Sequence, residues 1–360
     1  MAIDYIYKMR ILGVMSGSSL DGIDLVSVHF QTDDKLEWSI VRTETVAIPN
    51  AISTRLSSIV NQTAFEIAEI ESLYTKFISN AINDFVKKLD EPPVCASVHG
   101  HTVLHLPEIQ TSWQLLNGGM CAALTGLDIF CDFRNTDMSY GGQGTPMAVI
   151  ADRDLFPGYD YYINMGGIVN ISYRNNEQWM AYDIAPCNQV SNFYAQQKGL
   201  EFDEDGQLAK QGSVDGDLLE SLLNDAFIQL EPPKSIDNSW IKDYWIPAID
   251  KHNLKIEDIL QTYNRFVIEV IQRQLTSKMG KILITGGGAK NKYFMDLFQS
   301  EIGDGFCIET ESYEIVDYKE SVLMAYLAYL RMNNSINFIG NATGASHDVV
   351  GGAWYSGKKL

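Results

Sequence analysis

Three segments of this chain carry residue types whose spacing could do chemistry. The first is Gly13-Val14-Met15-Ser16-Gly17-Ser18-Ser19-Leu20-Asp21-Gly22-Ile23-Asp24. Glycines and small hydroxyl residues in a tight turn expose backbone N–H groups, and such groups bind phosphate oxygens. Asp21 and Asp24 beside them could hold a magnesium ion directly or through water. The same residues also make an ordinary hairpin turn with solvated acids, and this segment alone leaves both readings open. The second segment runs from a strand, Lys281–Thr285, into Gly286-Gly287-Gly288-Ala289-Lys290-Asn291 and a helix. Glycine backbones and helix N-termini accept anions and flat rings at close approach. A dinucleotide fingerprint would need Gly or Ala at position 291. Glu309 and Glu311 do follow about 20 residues on, where such folds place a ribose-binding acid, so the match is a weak one. The third segment, Asn164-Met165-Gly166-Gly167-Ile168-Val169-Asn170, is another glycine-bent hairpin. No GxxxxGK[ST] phosphate loop occurs.

Side chains able to move protons or bind polar ligands lie between these turns. His99, His101 and His105 fall within seven residues. A metal site would need further ligands, with Glu108 the closest acid, so hydrogen bonding at a strand end is the better reading. Arg134 could fork onto a carboxylate or a phosphate. The alternative is an internal ion pair with Asp132 or Asp137. Asp183 ends a strand ahead of Ile184-Ala185-Pro186-Cys187-Asn188, where an acid can act as general base or merely close a turn. No GxSxG nucleophile elbow is present.

The elements that must position these residues are legible as two similar halves. Ile11–Val14 and Ile23–Phe30 flank the first glycine turn, and Tyr161–Met165 and Ile168–Tyr173 flank the later one, followed by Trp179–Ile184. Apolar residues at helical spacing predict helices over Ala64–Leu89 and Glu257–Ser277. Val94–Val98 and Ile129–Phe133 are strand candidates for the first half and Lys281–Thr285 for the second. Gly144–Phe156 and Lys319–Met332 read as helices linking the halves, with the tail Ile336–Leu360 returning to the first. The fold class expected is α/β, two duplicated lobes with a ligand cleft between them. Over 360 residues, 46% of them hydrophobic, the core is ample and no run approaches the roughly 20 apolar residues of a membrane span. The net charge of −19 argues against nucleic acid or an anionic membrane as partner, though not against an anionic small molecule. Five widely spaced cysteines without a CxxC pair, and a start unlike a signal peptide, fit a cytoplasmic protein with reduced thiols.

Taken in order, these motifs resemble the anhydro-N-acetylmuramic acid kinase family. Met15–Asp24 is similar to its MSGTSxDGxD, His99–Pro107 to HGQTVxHxP, and Phe133-Arg134 through Gly141–Pro146 to FR…GGQGAP. Asn164–Ile171 is similar to NxGGIANI, Pro232–Ser235 to PPKS and Gly286–Asn291 to GGGAxN; Lys319-Glu320 and Thr343-Gly344-Ala345 also match. The chain departs from the family where DTGPGN reads Asp183-Ile184-Ala185-Pro186-Cys187-Asn188, where His101 stands for Gln, and where Ser18 stands for Thr. The resemblance implies duplicated RNase H-like, actin-like ATPase lobes, the first over residues 1–144 and 336–360 and the second over 145–335. It implies an ATP- and magnesium-dependent kinase that opens a 1,6-anhydro sugar from peptidoglycan with water and phosphorylates O6. Asp183 would be the base. Gly17, Ser18, Ser19, Asp21, Gly22, Gly166, Gly167, Asn170, Gly286, Gly287, Gly288 and Asn291 would bind the nucleotide. Asp21 and Asp24 would hold magnesium, while His99, Arg134 and Glu320 would meet the sugar. Arg134 or Lys234 would be the partner for its lactyl carboxylate. The partners implied are the sugar and ATP, with neither nucleic acid nor membrane, and the family suggests a homodimer. The altered turn after Asp183 keeps two alternatives open: a kinase for a different sugar, or a nucleotide-binding scaffold that has lost catalysis.

Overall fold

Both glycine-bent hairpins form, and each opens a sheet of the same design. The structure is a computed structural model that describes residues 7–17, 20, 22–32, 35–232, 234–236 and 240–357. The chain divides into two units, Met1–Pro157 with Tyr318–Leu360, and Gly158–Asp317. In the first unit the strands are β1 (Tyr7–Ser16), β2 (Gly22–Thr32), β3 (Leu36–Ala47), β4 (Cys95–Val98), β5 (His101–Leu106), β6 (Thr111–Leu115) and β7 (Asp128–Cys131). The second unit contributes β8 (Tyr161–Met165), β9 (Ile168–Asn175), β10 (Gln178–Pro186), β11 (Gly280–Thr285) and β12 (Phe306–Thr310), and the chain returns to the first as β13 (Ala353–Tyr355). The first sheet runs β13-β7-β4-β1-β2-β3 and the second β10-β9-β8-β11-β12. In each, three antiparallel strands are followed by two parallel ones added beside the first strand. This shared 3-2-1-4-5 order is the RNase H-like duplication that the paired hairpins foreshadow. β13 adds an antiparallel edge to the first sheet, as expected of the tail.

Local chemistry explains the placement of the main elements. The helix Ala64–Val86 starts at a capping box, in which the Thr63 hydroxyl accepts from the Glu66 N–H and the Glu66 carboxylate accepts from the Thr63 N–H. It buries Ile70, Tyr74, Ile78, Ile82 and Phe85 at helical spacing against β1, β2 and β4 residues such as Leu12, Leu25 and Val98. In the second unit Ile256–Gln274 plays the matching part, burying Tyr263, Phe266, Val267, Val270 and Ile271 over Ile163, Ile171 and Ile282. Among the described residues no helix is long and apolar enough to cross a membrane. The five cysteines are free thiols.

Two linking helices belong with the first unit, which moves the boundaries from those expected, 144/145 and 335/336, to 157/158 and 317/318. Their packing gives the reason. The Leu155 carbonyl at the end of Ala148–Leu155 accepts from the Trp38 indole of β3. The Lys319 ammonium of the helix Tyr313–Met332 pairs with Asp152 at 2.6 Å and lies over the Phe156 ring. That helix also lies directly on β1. A Cβ at Gly13 would come 1.8 Å from the Ser321 carbonyl oxygen, so only glycine admits the helix at this height.

Candidate active site

In the first unit, that close approach brings Glu320 within electrostatic reach of Asp24. Ser321 donates its hydroxyl to the Asp24 carbonyl at 3.1 Å, fixing the helix turn that carries Glu320 against β2. Asp24 pairs across the sheet with Met15 and Thr45, and its carboxylate accepts from the Thr45 hydroxyl. Glu320 keeps solvent access. Its pKa is nevertheless pushed up by the protein around its carboxyl and by the Asp24 charge, against the pull of Arg134 and Lys319. Arg134 opens the helix Arg134–Ser139 and pairs with neither Asp132 nor Asp137. Asp132 takes the Asn135 amide, and Asp137 takes the Gly144 N–H and the Thr343 hydroxyl. The Arg134 guanidinium instead donates to His99 Nε2 at 3.0 Å. His99 Nδ1 lies 2.9 Å from the Gly100 carbonyl and donates to it, leaving Nε2 as the acceptor. Burial, with the Arg134 charge second, drives the His99 pKa down to about 3, so the ring is neutral at every ordinary pH. Burial lowers Arg134 to about 10, partly opposed by Glu320. The Arg134 Nε, His101 Nδ1 and Gln114 Oε1 atoms are buried without hydrogen-bond partners among the described residues. Such groups are costly unless a ligand or water satisfies them.

In the second unit a polar row crosses the sheet. Thr285, Asn164, Asn170 and Asp183 stand in register on β11, β8, β9 and β10. Their chain neighbours Ile284, Ile163, Ile171 and Tyr182 form the adjacent row, which enters the apolar core. Alternation along the strands therefore puts the polar row on the opposite face. A bulge between Asp183 and Ala185 ends the row by shifting the register after the acid. Asp183 is gripped by the segment 234–236: its N–H donates to the Lys234 carbonyl at 3.0 Å and its Oδ2 accepts from the Ile236 N–H at 2.8 Å. Burial raises the carboxyl pKa from 3.8 to about 6, with the Ile236 bond pulling the other way. The glycine turns lie at the same end of the sheet. A Cβ at Gly286 would meet Asn164 and the Met165 backbone, and one at Gly288 would meet the Met165 side chain. Gly166 and Gly167 accept, through their carbonyls, the N–H groups of Cys187, Asn188 and Gln189. The start of the helix Asn188–Gln197 thus has these donors engaged within the protein.

The sequence model of anhydro-N-acetylmuramic acid kinase matches residues 9–357. This chain belongs to the anhydro-N-acetylmuramic acid kinase family. It is 30% identical over 372 residues to the anhydro-N-acetylmuramic acid kinase of Haemophilus influenzae, with 95% of this chain and 96% of the relative covered. The corresponding protein of Shewanella denitrificans is also 30% identical, over 96% of this chain and 98% of its own length. Among solved structures, a ROK family glucokinase from Streptomyces griseus in complex with glucose and AMPPNP aligns over 88% of this chain and 98% of its own at 13% identity and a TM-score of 0.42. As a member of the anhydro-N-acetylmuramic acid kinase family, the chain is a carbohydrate kinase that uses ATP.

The residues that this kinase family resemblance singled out fall into distinct structural roles. Ser18, Ser19, Asp21 and Pro233 lie outside the described residues. Gly17 ends the β1 side of the first turn and Gly22 begins β2. Asp24, Glu320, Arg134 and His99 gather in the first unit; Asp183, Asn170 and the glycines at 166–167 and 286–288 gather in the second. Asn291 caps the helix Lys292–Glu301, its Oδ1 accepting from the Phe294 N–H, which accounts for that position structurally. Glu309 takes the Tyr159 hydroxyl and pairs with Lys281. Among the described residues no three His, Cys, Asp or Glu side chains come together as a metal cluster. His105 instead contacts Ser112, which accepts from Gln114. Sequence reasoning missed the hairpin β5–β6 that carries this network, and Gln114 with it. It also left Lys234 as a partner for a substrate carboxylate. The structure gives its ammonium to the carbonyls of Phe227 and Ile228, at 3.2 and 3.1 Å.

Proposed function

We propose that this kinase opens 1,6-anhydro-N-acetylmuramic acid hydrolytically and phosphorylates O6 with ATP, giving N-acetylmuramic acid 6-phosphate in cytoplasmic peptidoglycan recycling. The observation that carries the reading is Asp183, a partly buried carboxylate with a pKa raised to about 6 and one oxygen held by the Ile236 N–H. A base with that pKa is ionised at neutral pH yet basic enough to take a proton from water attacking the anomeric carbon. Its free oxygen must come within roughly 3 Å of that water. Arg134, oriented by neutral His99, supplies fixed donors for the sugar. The glycines at 166–167 and 286–288 admit the nucleotide close to the backbone.

Magnesium fits the first unit. Asp24 and Glu320 are near enough for the charge of one to raise the pKa of the other, and a hard dication favours such oxygens, completing its shell with phosphate and water. When bound, it would neutralise charge on the transferring phosphoryl group.

The test is incubation with ATP, magnesium and 1,6-anhydro-N-acetylmuramic acid, with products read by mass spectrometry. Product heavier by one water and one phosphate is expected from the wild type and not from Asp183→Asn. Below pH 6 the wild-type rate should fall about tenfold per unit, because protonation removes the base, and above it the rate should level off. Undiminished turnover by Asp183→Asn would overturn the assignment of the base. A kinase for a different sugar is the second reading, favoured by His101, whose buried Nδ1 has no partner among the described residues where the family has Gln. Phosphorylation of another member of a sugar panel, with this anhydro sugar inert, would establish it.

A further inference from the structure

The segment around Lys234 does more than pass by the base. Lys234 and Ile236 hold Asp183 from both ends: the Lys234 carbonyl takes the Asp183 N–H, and the Ile236 N–H takes Oδ2. A short span of chain can hold both bonds only if it is itself fixed. Its anchor is the Lys234 side chain. The ammonium donates to two backbone carbonyls, Phe227 and Ile228, and sits 4.9 Å from the centre of the Phe227 ring. Phe227 in turn packs on Trp240, and Trp240 on the fully buried Trp245. A cation bound to two carbonyls and a ring face is strongly localised. The ammonium is therefore committed inside the protein and not held out toward a ligand.

The geometry points to Lys234 as a positioning residue for the reaction: by tying segment 234–236 to Phe227 and Ile228, it sets the Ile236 N–H that orients Asp183 and leaves one carboxylate oxygen for water. This inference rests on Asp183 being the base. The electrostatics agree with an indirect role. The Asp183 pKa answers to burial and to the Ile236 N–H, and the charged group facing Lys234 is Glu231. Loosening the segment weakens the bond from Ile236, and losing a bond to the ionised form raises a carboxyl pKa.

The test compares pH profiles of kcat and kcat/KM for the wild type, Lys234→Met, Lys234→Arg and Asp183→Asn, with thermal melts alongside. For Lys234→Met, kcat should fall on the order of tenfold or more and the acid limb should move up by about one pH unit, the worth of one charge-assisted hydrogen bond. KM for ATP and sugar should stay within about twofold, as expected of a change in the transition state alone. Lys234→Arg, which keeps a cation with several donors, should restore most of the rate and the original limb. A folded Lys234→Met enzyme whose acid limb stays at the wild-type pH would show that Lys234 only supports the fold, and would overturn the inference while leaving Asp183 as the base. Should Lys234→Met fail to fold, Lys234→Gln, which retains a neutral donor, decides by the same criterion. Full activity in Asp183→Asn would instead remove the base on which the inference stands.

Discussion

At the residue scale, the environment that makes Asp183 useful also makes it a burden on the fold. Its ordinary pKa is 3.8 and its folded value is about 6, so between these limits the folded chain binds more protons here than the unfolded one. Stability contributed by the site is therefore present at acid pH and lost as pH rises from about 4 through about 6. Asp183→Asn keeps an oxygen for the Ile236 N–H and removes the buried charge. It should be more stable than the wild type by about 3 kcal/mol at pH 8, and equal to it near pH 4. Denaturant melts at pH 4, 6 and 8 check this, and a difference that does not change with pH would contradict it. His99 makes the opposite use of burial. Held neutral with Nε2 as acceptor, it orients Arg134 without adding a second positive charge beside it. A ring with so low a pKa cannot supply the acid limb proposed for Asp183. His101 and His105 are lowered by burial as well.

At the element scale, one glycine sets the spacing of the acid pair. Gly13→Ala puts a methyl group where the Ser321 carbonyl now lies, and the helix Tyr313–Met332 must back away from β1. Overpacking of this kind costs about 1–3 kcal/mol, and here it also draws Glu320 away from Asp24. The variant should unfold at lower urea and need several-fold more magnesium for half-maximal rate. Gly216→Ala, at a position open to solvent, should do neither. Unchanged magnesium dependence in Gly13→Ala would separate the acid pair from the cation. This contact was hidden in the sequence, since nothing in a strand pattern tells which helix will lie across it. The two hairpins at β1–β2 and β8–β9 were legible because glycine marks each bend and apolar residues mark each arm. β3 escaped notice because it is an edge strand whose residues alternate between exposed and half-buried, with charges throughout. The hairpin β5–β6 escaped because its histidines read only as the end of a strand and its second arm, Thr111–Leu115, is five residues long. Asp183 was visible as an acid ending a strand, whereas its grip by Lys234 and Ile236 depends on a long excursion of the chain between them.

At the scale of the whole molecule, a chain of net charge −19 must admit ATP, an anion, and in the proposed reaction a sugar acid as well. The global field opposes both, while short-range donors such as the one proposed at Arg134 would attract them. These contributions differ in reach, and salt separates them. Raising ionic strength from about 0.01 M to 0.1 M shortens the screening length from about 30 Å to about 10 Å. The long-range repulsion from the acidic surface fades over that interval, while contacts at hydrogen-bond distance inside a partly desolvated site are screened much less. The expected outcome is that kcat/KM for ATP rises a few-fold across this range at fixed free magnesium, with kcat nearly constant because chemistry follows capture. Measuring initial rates in potassium chloride, with an uncharged osmolyte as control, checks it. A fall in kcat/KM with salt would mean that the local cations govern capture even at long range. The net charge would then be a matter of solubility alone, and charge-reversal of distant surface acids should leave the rate unchanged.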